Sequence, residues 1–71
     1  MTTRENAARL RAEYPVGTRI RLIRMDDEQA PPAGTEGTVR GVDDIGSIQM
    51  SWDTGSSLAL IEGTDEFEKI N

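Results

Sequence analysis

Seventy-one residues carrying thirteen acidic and eight basic side chains, a net charge of −5 and neither cysteine nor histidine leave room for one small domain, close to the lower size at which a chain folds without a metal or a disulfide. The two missing residue types remove disulfides, thiolate nucleophiles, the usual zinc sets and the Ser-His and Cys-His pairs. Neither catalysis nor a cofactor nor a bound metal is expected.

In chain order, residues 1–13 read as a short N-terminal helical extension. Thr2 and Glu5 have the spacing of a capping box, and Ala7, Leu10 and Tyr14 share one narrow apolar side. A lone helix of this length is marginal in water, so it docks on the rest of the domain, docks on a partner, or frays. Pro15 and Gly17 end it.

Thr18 to Arg24 has strand alternation, with Ile20 and Leu22 on one face and Arg19 and Arg21 on the other; Ile23 breaks the pattern and predicts a bulge or a twist. Met25 to Ala33 contains Pro31 and Pro32 and reads as a long loop. Glu36 to Asp43 is the second strand, Asp43-Asp44-Ile45-Gly46 a turn, and Ser47 to Trp52 the clearest strand, with Ile48, Met50 and Trp52 facing one way. Asp53 to Ser56 turns into a fourth strand over Ser57 to Ile61, and a last short one falls at Phe67 to Ile70. The expected fold is all-β: residues 14–71 as a five-stranded SH3-like barrel with a short N-terminal α-helix.

Several motifs in this order resemble a bacterial and phage family known as domain of unknown function 4314. They are Tyr14-Pro15-Val16-Gly17-Thr18-Arg19-Ile20, Met25-Asp26-Asp27, Ala30-Pro31-Pro32-Ala33-Gly34-Thr35-Glu36-Gly37-Thr38-Val39, Val42-Asp43-Asp44-Ile45-Gly46 and Trp52-Asp53-Thr54-Gly55-Ser56-Ser57-Leu58. The resemblance spans about residues 14–70 and implies a compact all-β module, often encoded on mobile elements. It supplies no catalytic residues.

Charge is unevenly distributed. Residues 1–24 hold six arginines against Glu5 and Glu13, whereas residues 25–71 hold Arg40 and Lys69 against eleven acids. Either the halves neutralise each other on the folded surface, or the acidic part faces a basic partner. The leading expectation is protein binding through Met25, Asp26, Asp27, Pro31, Pro32, Trp52 and Asp53, with Trp52 either in the core or as the aromatic wall of a groove. Such a module would act by occupying a host or defence protein, presenting carboxylates where the target expects phosphates. The alternative is a small-molecule binder that sequesters a nucleotide-like phosphorylated signal through Trp52 and Arg19, Arg21 and Arg24, and the bland reading of these arginines pairs them with acids on neighbouring strands. Asp53-Thr54-Gly55 resembles an aspartic-protease signature, but the same letters make an ordinary turn. Duplex nucleic acid is disfavoured by the acidity. With no apolar run of membrane-span length and no secretory pattern at the N-terminus, the expected compartment is the cytoplasm. Dimerisation would relieve the stability problem of so small a domain.

Overall fold

The computed structural model describes residues 2–70. Its first element, α1 (Thr3–Glu13), begins as the sequence predicts: the Thr2 hydroxyl accepts from the Glu5 N–H at 3.1 Å and donates to Glu5 Oε1 at 3.2 Å, satisfying a donor that the first turn leaves open. At the other end the Tyr14 N–H donates to the Leu10 carbonyl at 2.7 Å, and Pro15 follows. Ala7 and Leu10 are fully buried, with Tyr14 packed at the margin of the same core. The helix therefore docks on the sheet.

Five strands make one antiparallel sheet: β1 (Arg19–Arg24), β2 (Glu36–Val42), β3 (Ser47–Trp52), β4 (Leu60–Ile61) and β5 (Glu66–Lys69), in the order β4-β3-β2-β1-β5. Alternation sends Ile20, Leu22, Val39, Ile48, Met50, Trp52 and Leu60 to the face that α1 covers. The expected break at Ile23 is a register shift between Leu22 and Arg24 opposite β5. A second shift, between Val39 and Gly41, places an extra residue, Arg40, in β2.

The expected closed barrel is not what forms. β4 and β5 lie at opposite edges of the sheet with no ladder between them. Only two residues of the expected fourth strand pair, because local bonds take the backbone groups a longer strand would use: the Trp52 indole N–H donates to the Leu58 carbonyl at 2.9 Å, and the Leu58 N–H donates to Ser56 Oγ at 3.3 Å. The helix spans the gap instead. Leu10 reaches the β2–β3 turn, where its Cδ1 lies 3.6 Å from where a Gly46 Cβ would stand. The Arg9 guanidinium pairs with Glu62 in the β4–β5 turn, and the Tyr14 ring meets Phe67 of β5 edge-on with centroids 5.7 Å apart. Among the described residues no helix is long and apolar enough to cross a membrane.

At the centre Trp52 is 2% exposed and lies across Gly37, its register partner. A Cβ at residue 37 would stand 2.7 Å from Trp52 Cε3 and 3.0 Å from the Ser51 carbonyl oxygen. Gly37→Ala is expected to destabilise by about 1–3 kcal/mol through overpacking, and Leu10→Ala by about 2–5 kcal/mol through the cavity it leaves under the helix. Urea denaturation of each variant measures both, and a Leu10→Ala protein as stable as the parent would show that packing of Leu10 contributes nothing to the fold.

Candidate functional site

The loop between β1 and β2 is built, not slack. Its base closes with the Leu22 N–H on the Thr35 carbonyl at 2.8 Å and the Gly34 N–H on the Leu22 carbonyl at 2.7 Å. Asp27 organises the tip: its Oδ1 accepts from the Gln29 N–H at 2.8 Å and its carbonyl from the Ala30 N–H at 3.0 Å. A second turn, with the Thr35 N–H on the Pro32 carbonyl at 3.0 Å, uses Gly34 at φ 92°. Pro31 is buried and Met25 packs against the core, while Asp26, Asp27, Glu28 and Pro32 remain exposed. These anchors hold three consecutive carboxylates at one end of the sheet. Glu66, opposite Arg24 in the ladder, adds a fourth nearby, and Arg24 offsets one charge by pairing with Asp26 at 3.2 Å.

The arginines of β1 do not stand free for a phosphate. Arg19 grips Asp53 with both terminal nitrogens, at 3.0 and 2.7 Å, and also reaches Thr38 Oγ1 at 2.9 Å and Glu36 at 3.4 Å. Arg21 pairs with Glu68 at 2.8 Å and with Glu36 at 3.7 Å. Asp53, Arg19, Glu36, Arg21 and Glu68 thus alternate in sign across the outer face. In α1, Arg11 pairs with Asp44 at 2.9 Å and donates to the Val42 carbonyl at 3.0 Å, while Arg9 pairs with Glu13 as well as Glu62. Of the six arginines in the first 24 residues, five thus pair with carboxylates, mostly from the acidic remainder of the chain.

Three of the residues expected to contact a partner are placed elsewhere, the buried Pro31 being one. Trp52 lies in the core with its indole N–H satisfied, so it offers no aromatic wall to a groove. Asp53 is exposed, but its carboxylate belongs to Arg19, and that charge-assisted bond, with the guanidinium's field, holds its carboxyl below the ordinary 3.8. Asp43 is a structural carboxylate, accepting from the Ile45 and Ser47 N–H groups at 3.2 and 2.8 Å and from Gln49 Nε2 at 3.1 Å. Among the described residues no group of three or more His, Cys, Asp or Glu is placed to hold a metal ion.

Two open concavities flank the β2 bulge. One, about 340 Å³, is bordered by Arg11, Tyr14, Pro15, Val16, Gly41 and Val42. The other, about 380 Å³, is bordered by Arg40, Gln49, Met50 and Ser57. Arg40 is the residue that reading the sequence passes over; Gly41, a glycine inside a strand pattern, is the signal that could have marked the bulge presenting it.

A helix-sealed, mostly β domain with an exposed acidic loop after its first strand is the class these features define. The chain belongs to the family described as Domain of unknown function (DUF4314), whose match covers residues 3–70 and so takes in the helix as well as the sheet. No match is found among the curated proteins or the solved structures.

A carboxyl whose value is depressed by folding adds stability above its unfolded value and loses that contribution as the pH falls through its folded one. For the Arg19–Asp53 pair, the stability difference between the parent protein and Asp53→Asn should therefore be constant above about pH 4 and shrink at more acidic pH. Urea midpoints between pH 2 and 7 measure it, and a difference independent of pH across that range would show that the pair adds nothing.

Proposed function

We propose that this protein is a non-catalytic binding module that docks the basic surface of another protein onto the acidic loop at Asp26, Asp27 and Glu28. The observation carrying this reading is the contrast between that loop, where Asp27 and Glu28 are exposed on a braced backbone with no ion pair among the described residues, and the outer face of the sheet, where Arg19 and Arg21 pair with Asp53, Glu36 and Glu68. Preorganisation matters because a loop already ordered loses little entropy on binding. The partner fitting such a surface is one whose cationic face ordinarily receives nucleic-acid phosphates, and occupying it would inhibit a host or defence protein on behalf of a phage or other mobile element. We read the sheet as an opened SH3-like barrel, supported by β1 lying between β2 and β5 and by a long first loop where such modules take peptides. The small-ligand reading at Arg19, Arg21 and Arg24 has less support, since a phosphate there would have to displace Asp53, Glu36, Glu68 and Asp26.

The test pairs the protein with the triple variant Asp26→Asn, Asp27→Asn, Glu28→Gln. The partner is captured from host extract with the parent protein, and its affinity for both forms is then measured with purified components at two salt concentrations. Three rim charges at roughly 0.2–1 kcal/mol each predict about a tenfold loss of affinity, accompanied by weaker salt dependence. Unchanged affinity in a variant with unchanged melting temperature would overturn the reading.

A further inference from the structure

Arg40 stands apart from the other arginines of the sheet. Arg19, Arg21 and Arg24 each lie within ion-pair distance of at least one carboxylate. Among the described residues Arg40 makes no such pair, although the chain holds thirteen acids. It is also the extra residue of the β2 bulge, exposed on the strand with Gly41 at φ 153° beside it. A bulge re-aims a side chain that regular pleating would have placed against a cross-strand neighbour.

The surroundings of Arg40 are suited to accepting negative charge. It borders the concavity of about 380 Å³ together with Gln49, Met50 and Ser57. Met50, 1% exposed, closes the floor. The Gln49 amide is oriented from behind by Asp43, which takes one of its N–H bonds at 3.1 Å and leaves a second N–H and the carbonyl oxygen for a ligand. The Asp43 carboxylate also accepts from two backbone N–H donors at 3.2 and 2.8 Å. Ser57 contributes a hydroxyl from the segment between β3 and β4.

We propose that Arg40, Gln49 and Ser57 form a binding site for the oxoanion of a small polar molecule, a phosphate or a carboxylate received by the Arg40 fork. A guanidinium matches the planar, two-oxygen face of either group. The site has no aromatic side chain on its border and so takes the anionic group without stacking a base. It shares no residue with the acidic loop, so it stands or falls independently of the protein-binding reading.

The test is a titration of the full-length, ¹⁵N-labelled protein followed by two-dimensional NMR at pH 7. Sodium phosphate and sodium acetate serve as separate probes, each against sodium chloride at equal ionic strength. The expected result is a saturable shift of the Gly41 and Ser57 amides and the Gln49 side-chain amide, half-complete at about 1–10 mM, and weakened about tenfold or more in Arg40→Gln. Arg40→Lys should recover part of the binding, because it keeps the charge and loses the fork. Tighter binding of phosphate assigns the site to phosphoryl groups, and tighter binding of acetate assigns it to carboxylates. Shifts that do not saturate, that fall equally around Arg4 and Lys69, or that persist in Arg40→Gln would mean an adventitious ion only and overturn the proposal.

Discussion

Trp52 lying across Gly37 is the contact on which the rest of this small structure depends. The indole fills the space a side chain at residue 37 would occupy and so requires the β2–β3 register that places the two residues opposite each other. Its N–H then reaches over to the Leu58 carbonyl and holds down the segment that follows the β3 turn. One aromatic ring thus sets a strand pairing, satisfies a loop carbonyl and fills the core. The same loop bond stops β4 from growing, leaving β4 and β5 as the two open edges of the sheet.

Because the sheet does not close, α1 becomes structural. Leu10 and Ala7 cover the core, and two side chains of the helix and its C-cap residue reach different parts of the sheet: Arg11 the end of β2, Arg9 the β4–β5 turn, Tyr14 the middle of β5. Tyr14 also carries Lys69 over its ring at 5.3 Å, and its partial burial raises the phenol above its ordinary value. A helix too short to persist alone is held because each of its turns has somewhere to attach.

Most of the elements were legible in the sequence where local rules decide them. The Thr2–Glu5 cap, the bulge at Ile23, the Asp43–Gly46 turn and the strand from Ser47 to Trp52 all follow from residue spacing alone. What could not be read that way depends on contacts between distant residues. The truncation of β4 is decided by a tryptophan six positions upstream. The pairing of Asp53 with Arg19, 34 positions away, hides in letters that describe a turn, and the role of Arg40 depends on a register shift whose only local trace is Gly41. In the loop at 25–33 Asp26 and Asp27 are exposed, whereas Pro31 and Met25, which the sequence groups with them as partner contacts, turn inward because the core takes apolar side chains wherever the fold brings them near.

The alternating network on the outer face, running from Asp53 through Arg19, Glu36 and Arg21 to Glu68, has a consequence beyond the bonds it makes. Charges that cancel locally contribute little to the potential felt at a distance, so the far field is dominated by the groups left over. In this protein those include Asp27, Glu28 and Glu66 at one end of the sheet. With a net charge of −5, the molecule attracts a cationic body at a distance, and these uncompensated carboxylates add to that attraction at their end of the sheet.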